Sequence, residues 1–441
     1  MKKIYSLAAF AVLGFAAAHA QATRYNFADL KALDMDGDMS TVMGTMTSVS
    51  RNGQYAVGSD WLLTCHSWIW KADGSYAVTA REANDNLVLA VANDGTTVGS
   101  YYDAQADLVY PGYREPNGTW HRLPQPAYAQ TMNQNWKKGQ YNESALPYIP
   151  TAYFVSGDGK HIGGWTYAAG GKDDARPGFD AKLHGFFWHQ NESGEYILED
   201  FADMDLSFSQ QGFRPYAMNE EGTILAGLID SDYNGIFEPA AIIDGKLEVL
   251  IPAPICPFYE AIERGYFEGS CFAVNGRYIY GYGTYQKGHS DDDGNETYSE
   301  REQYSFRYNA DTKELEKLPN VYIKIAGDNG VSMGIDASTY DFCVVADDFK
   351  TVETVEYPGQ VTEIFSASAD FSVIAGVSQM ITDWGPFNYP VLLQYDNSLL
   401  SGISPVSVAR PADTLYDLQG RRLSGAAAHG IYVQNGKKVM R

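Results

Sequence analysis

The run Asp230-Ser231-Asp232-Tyr233-Asn234-Gly235-Ile236-Phe237-Glu238 is the stretch whose residue types and spacing point to defined chemistry. Oxygen donors recur at its first, third, fifth and ninth places, from Asp230, Asp232, Asn234 and Glu238, and the carbonyl of Ile236 stands at the seventh. Hard oxygen ligands at alternate positions suit Ca2+, and Gly235 allows the sharp turn that wraps a loop round an ion. Mg2+ fits less well because it demands a tighter octahedron. An EF-hand would carry a bidentate Glu at place twelve, where Ala241 stands. The rival pattern at residues 34–38 has Met39 where the glycine is needed. The alternative reading is an Asp/Asn/Gly loop held by its own backbone hydrogen bonds. If calcium binds, its role is structural: it pins a loop between a strand at residues 224–228 and another at 240–243.

Other chemistry is weakly marked. No HExxH, GxSxG or phosphate-cradling glycine loop occurs. His184 and His189 are five apart, on opposite faces of a strand, which argues against chelation by that pair. Carboxylates are abundant, so a pair of them acting as a glycoside hydrolase or lyase stays open as an alternative. Of the four cysteines, Cys256 and Cys271 flank a short connection. Bridging them would stabilise by roughly 3 kcal/mol in the chain-entropy model, and two free buried thiols are the other reading.

The elements that must position these residues repeat. Strand, tight turn, strand and glycine recur at residues 49–58, 91–99, 155–163, 218–227, 274–281, 326–334 and 367–376. The closing glycines Gly58, Gly99, Gly163, Gly227, Gly281, Gly334 and Gly376 are spaced by 41, 64, 64, 54, 53 and 42 residues. After each comes an apolar or aromatic strand, such as Ser67-Trp68-Ile69-Trp70 or Gly185-Phe186-Phe187-Trp188, and then a fourth strand. A four-stranded unit repeating at about forty residues or more is a propeller blade. The expected fold is an all-β, seven-bladed β-propeller of four-stranded antiparallel blades, with a β-sandwich or solenoid as alternatives. The aromatic third strands should pack between blades. The seventh unit lacks an obvious fourth strand, and residues 24–30 are placed to supply it from the other end of the chain. Insertions at residues 125–153, 168–182 and 284–300 break the period; such loops on one propeller face are where ligands usually bind, and solvated loops without a partner are the other reading.

Charge and termini set the class. The formal charge of −23 disfavours nucleic acid and anionic membrane surfaces as partners. Lys2 and Lys3, an apolar run at residues 7–18 and Ala18-His19-Ala20 read as a cleaved secretory signal over residues 1–20. No further apolar stretch has the length of a membrane helix, so membrane insertion is not expected. Residues 21–401 are then the propeller. Residues 402–441 form a linker and a small C-terminal β tail, with strands around Leu415-Tyr416 and residues 430–439 and a tight turn at Asn435-Gly436.

Three resemblances add expectations. The loop at Asp230–Glu238 resembles the calcium loops of integrin-type propellers, with an acid at the ninth place and a strand on each side. The repeats, V-S-x-D-G followed by an aromatic strand, resemble HAF-type extracellular repeats of bacterial proteins, which implies a secreted β-propeller without a defined activity. The tail, Tyr416-Asp417-Leu418-Gln419-Gly420-Arg421-Arg422 and Gly430-Ile431-Tyr432-Val433-Gln434-Asn435-Gly436-Lys437-Lys438-Val439, resembles the C-terminal sorting domain of the Bacteroidetes type IX secretion system. That resemblance implies recognition by the secretion machinery and release or display at the outer cell surface. Together these readings describe a secreted or surface binding module that recognises an extracellular glycan or protein through its insertion loops.

Overall fold

The computed structural model describes residues 25–29, 45–59, 67–79, 87–103, 105–106, 108–125, 151–169, 181–200, 213–229, 237–251, 265–290, 296–298, 302–355, 361–382, 385–395, 415–416, 431–434 and 437–440. Two compact units divide the chain, residues 1–398 and 399–441. The first holds seven antiparallel sheets in chain order.

The chain enters with β1 (Tyr25–Asp29). Blade one is β2 (Thr45–Val49), β3 (Tyr55–Ser59), β4 (Ser67–Lys71) and β5 (Tyr76–Thr79). Blade two is β6 (Leu87–Val91), β7 (Thr97–Asp103), β8 (Leu108–Arg114) and β9 (Trp120–Arg122). Blade three is β10 (Thr151–Val155), β11 (His161–Ala169), β12 (Ala181–Gln190) and β13 (Tyr196–Asp200). Blade four is β14 (Arg214–Met218), β15 (Ile224–Ile229), β16 (Glu238–Ile243) and β17 (Lys246–Val249). Blade five is β18 (Gly265–Asn275), β19 (Tyr278–Ser290), β21 (Glu302–Asn309) and β22 (Leu315–Pro319), with β20 (Glu296–Tyr298) paired back on β19. Blade six is β23 (Val321–Ala326), β24 (Ser332–Asp336), β25 (Phe342–Val345) and β26 (Val352–Thr354). Blade seven is β27 (Val361–Ala367), β28 (Val373–Thr382) and β29 (Gly385–Tyr395), and its fourth strand is β1. The molecule is therefore the expected seven-bladed β-propeller. The pairing runs from Tyr25↔Tyr395 to Asp29↔Val391, so the N-terminal strand closes the ring as the sequence implied.

The core lies between blades. Trp68 and Trp70 of blade one pack with Val373, Ala375 and Leu392 of blade seven. Phe186 and Trp188 of blade three pack with Ala90, Val98 and Leu123 of blade two, and Trp188 Nε1 donates to the Pro124 carbonyl at 2.9 Å. Tyr304 and Phe306 of blade five fill the gap to Ile224, Ala226 and Ile243 of blade four. A blade is apolar on both faces and cannot bury them alone, so neighbours stack until the ring closes.

The repeated motif is turn chemistry. In blades one, three and seven a buried serine (Ser50, Ser156, Ser368) accepts the backbone N–H five residues on, at 2.9–3.0 Å, and bonds the side chain two residues on. Asn219 does the accepting in blade four. The next turn position is left-handed, at Gly53 (φ 69°), Gly159 (φ 75°) and Gly222 (φ 66°). Phe371 takes the same region at φ 56°, because its ring is fully buried and holds it there.

Three expectations need correction. The closing glycine of blade three is Gly164, not Gly163: a Cβ on Gly164 would lie 2.0 Å from the Thr151 carbonyl, as one on Gly99 would lie 1.9 Å from that of Leu87. Gly163 is a glycine because the Phe154 ring occupies the space of its side chain. Cys271 is a free, fully buried thiol, not half of a bridge to Cys256; its Sγ faces the Ala240 carbonyl at 3.7 Å across the blade-four interface. Burial pushes the Cys271 thiol well up from its ordinary value. Cys256 lies outside the described residues. The third insertion is not simply a polar loop, since β19 continues to Ser290 and β20 pairs with it from Gly288↔Tyr298 to Ser290↔Glu296. Extending the ladder satisfies backbone groups that a loop would leave to solvent.

The second unit contains a three-stranded sheet of β30 (Leu415–Tyr416), β31 (Ile431–Gln434) and β32 (Lys437–Met440). The last two strands pair from Gln434↔Lys437, leaving two residues to connect them, as the Asn-Gly reading required. The expected leader lies outside the described residues, as do the linker and most of the first two insertions. Among the described residues, no helix is long and apolar enough to cross a membrane.

Candidate functional site

Strand order makes the two faces of the ring unequal. Each blade turns tightly between its first and second strands and again between its third and fourth, and both turns lie on one face. The connections from second to third strand, and from one blade to the next, lie on the other. All three insertions fall there, and so does the loop that begins at Asp230.

The turn face is sealed by hydrogen bonds that run from blade to blade without a break. Asn52 N–H donates to Asn93 Oδ1 at 2.9 Å, Asn93 N–H to the Gly157 carbonyl at 2.8 Å, and Gly157 N–H to Glu220 Oε2 at 2.6 Å. Asn219 Nδ2 donates to the Gly276 carbonyl at 3.4 Å, and Asn275 Nδ2 to that of Gly327. Asp328 N–H donates to Ala369 O and Ala369 N–H to Arg51 O, both at 2.8 Å, which returns the circuit to blade one. Arg51 then reaches across the axis. Its guanidinium pairs with Asp328 of blade six, donates to Asn275 Oδ1 of blade five at 3.1 Å and lies 3.7 Å from Glu220 Oε1 of blade four. Burial pushes the Glu220 carboxyl up, opposed by the Gly157 N–H and by Arg51. Spacing in the sequence does not mark this cluster. The available signal was that Arg51 is the basic residue in a set of turns otherwise carrying Asn93, Asp158, Glu220 and Asp328.

The inner strands build the opposite end. Each carries a β-bulge shortly before its tight turn, at Thr47, Leu89, Tyr153, Tyr216, Phe272, Lys324 and Phe365, and blade seven has a further register shift at Thr362. The bulge swings the preceding carbonyl over the neighbouring strand, which is why that strand needs its closing glycine there. Neighbouring bulge positions touch. Thr47 Oγ1 donates to the Leu89 carbonyl at 2.8 Å, and Tyr216 meets Phe272 with centroids 6.0 Å apart. Over blades three to five these residues form an aromatic arc. Tyr153 stacks on Trp165 at 4.8 Å, the Arg214 guanidinium lies over Trp165 at 3.6 Å and over Tyr216 at 4.7 Å, and Phe272 stacks on Tyr282 at 5.0 Å. All of them are half-buried. Trp165 pairs with Thr151, and Arg214 begins β14, so this part of the arc stands on the insertion side of β10 and β14, while Phe272 and Tyr282 lie nearer the tight turn of blade five.

Of the calcium loop, Glu238 is described: it opens β16 opposite Ile229 and is 5% exposed. Asp230, Asp232, Asn234 and Ile236 lie outside the described residues. No group of three or more metal-ligating side chains occurs among the described residues. His189 sits across the strand pair from His161, a neighbour the sequence reading did not pick out. Burial holds His161 below its ordinary value, with Asp158 opposing.

No family model matches the chain, and no curated protein matches it. Among solved structures it is similar to the β-propeller domain of the Trilobed protease from Pyrococcus furiosus, at 8% identity and a TM-score of 0.42, covering 79% of this chain and 95% of that one. It is also similar to virginiamycin B lyase from Staphylococcus aureus, at 11% identity and a TM-score of 0.40, covering 84% and 99%. A third likeness is acylaminoacyl peptidase from Pyrococcus horikoshii, at 10% identity and a TM-score of 0.46, covering 81% and 52%. The class defined by the strand pairing is a seven-bladed β-propeller.

Proposed function

We propose that the protein is a secreted or cell-surface binding module that recognises a glycan or protein through its insertion face. The observation carrying this reading is the asymmetry of the ring: one face is closed by turns and Arg51, while the other gathers the insertions and the half-buried aromatic arc. Aromatic side chains with polar tips are suited to partly wet recognition. The hydrolase or lyase alternative draws less support. Among the described residues, the carboxylates that meet at the axis, Glu220 and Asp328, both lie against Arg51 on the turn face, away from the insertion face. A glycan and extracellular-protein screen on the full chain is the test. A saturable ligand without turnover supports the module; turnover of a bound glycan would replace it with the enzyme.

The calcium loop belongs to the same proposal, as a structural Ca2+ site of Asp230, Asp232, Asn234, Ile236 and Glu238. Its support is the sequence spacing, together with Glu238 being buried at the root of a loop whose two strands are held in register. Calcium should raise the melting temperature of wild type, chelator should lower it, and Asp232→Ala should abolish both effects. Unchanged melting with chelator and no calorimetric heat would remove the site. The C-terminal sheet, with its paired hairpin strands, is read as the element the type IX machinery recognises. Deleting residues 399–441 should then retain the protein inside a Bacteroidetes host.

A further inference from the structure

Arg214 is the basic group of the aromatic arc, and its surroundings define what it can still bind. Its guanidinium lies over the Trp165 ring at 3.6 Å and over the Tyr216 ring at 4.7 Å. Both contacts hold the cation over the rings and leave its N–H groups for hydrogen bonding. Its Nε, shielded from solvent, meets no acceptor among the described residues. Four other described arginines are engaged by carboxylates, Arg51 by Asp328, Arg122 by Asp103, Arg277 by Asp244 and Asp311, and Arg307 by Glu316, while Arg114, like Arg214, forms no ion pair among the described residues. In a chain with 55 acidic and 32 basic residues, an arginine set over two rings whose shielded Nε meets no acceptor among the described residues is a candidate recognition group.

We propose that Trp165, Arg214 and Tyr216 form a subsite for a carboxylate-bearing saccharide, a uronate; this rests on the binding-module reading above. The edge of a planar guanidinium matches a carboxylate through two parallel N–H···O bonds. Tyr153, stacked on Trp165 at 4.8 Å, and Tyr216, under the guanidinium, border the site with half-buried rings of the kind that pack on the C–H surfaces of a pyranose. The net charge of −23 opposes any anionic ligand, the more strongly the more charges it carries. A nucleic acid or a heavily sulfated chain would be repelled, whereas one carboxylate per sugar, docked on one arginine, is tolerated. The subsite lies where β10 and β14 begin, on the insertion side of these strands, with Trp165 paired to Thr151.

The test titrates full-length protein with a galacturonate trisaccharide, with the same trisaccharide reduced to its neutral form, and with an acidic peptide. The uronate should bind with a Kd of about 1 mM or tighter, and the neutral sugar at least about tenfold more weakly, a difference of about 1.4 kcal/mol. Arg214→Lys keeps the charge but loses the planar fork, and should weaken the uronate by a similar factor while leaving the melting temperature unchanged. If that variant does not fold, the wild-type preference for uronate over its neutral form decides alone. Equal binding of the two sugars, tighter binding of the peptide, or no response to Arg214→Lys in a folded variant would overturn the subsite. Failure of the uronate with another ligand retained overturns the subsite alone; silence across the whole screen overturns the binding module as well.

Discussion

At the scale of single residues, the axis is an electrostatic clasp. Arg51 joins blade one to blades four, five and six, and each partner is partly exposed, so solvent screening keeps each pair modest. The closed set of backbone and amide bonds beneath it does more to hold the turns. Glu220 is the member under strain, because burial raises its carboxyl above the ordinary glutamate range. A carboxyl raised on folding contributes stability that is fully present below its unfolded value and is lost as pH rises through its folded value. Glu220→Gln should therefore remove a loss of stability that wild type suffers from the ordinary glutamate range upward, while the amide oxygen still accepts from Gly157. The measurement is melting temperature against pH for both proteins. Parallel curves would show that Glu220 is not the group responsible. Arg51→Ala should lower the melting temperature at neutral pH, since it leaves Glu220 and Asp328 without their cation.

At the scale of the element, the blade is organised by a bulge and the glycine opposite it. The bulged inner strand brings a carbonyl over its neighbour, and only hydrogen fits beneath. A Cβ on Gly227 would stand 1.9 Å from the Arg214 carbonyl and 2.8 Å from its carbon. Backbone must move to accept it, so Gly227→Ala should cost about 2–4 kcal/mol. Gly194 gives the contrast. Its φ is 80°, but nothing lies within 4 Å of an added Cβ, so Gly194→Ala should cost only about 1–2 kcal/mol from backbone strain. Chemical denaturation of both variants checks the order; equal losses would mean that the close approach does not matter. Because Gly227 faces Arg214, the first variant should also disturb the uronate subsite, which the second should spare.

At the scale of the whole molecule, closure depends on a strand from the beginning of the chain. β1 pairs with β29 along all five of its residues, giving blade seven its fourth strand. Without it, the outer edge of β29 would present unpaired backbone groups to solvent or to another chain. Deleting residues 21–30 should lower the melting temperature by several degrees, roughly the effect of losing a few kcal/mol, and promote association. An unchanged melting temperature in a monomeric variant would show that the ring holds without this strand.

The sequence by itself determined the blade count, the four-strand unit, the interblade position of Trp68, Trp70, Phe186 and Trp188, and the ring-closing role of residues 25–29. These were legible because turns and strand alternation are local: Ser156, Asp158 and Gly159 act within a few residues of one another, and the pattern repeats. Gly163 was mistaken for Gly164 because a bulge shifts register by one residue, and the one-dimensional pattern shows two adjacent glycines without saying which lies under the carbonyl. Cys271 read as a disulfide candidate because loop length is visible in the sequence, while the direction of a side chain into a neighbouring blade is not. Tertiary structure alone decided the Arg51 clasp and the Trp165–Arg214–Tyr216 stack. Arg51 reaches blades four to six only when the ring closes, and Trp165 meets Arg214 and Tyr216 only when blade three stacks on blade four, both driven by apolar faces that no single blade can bury.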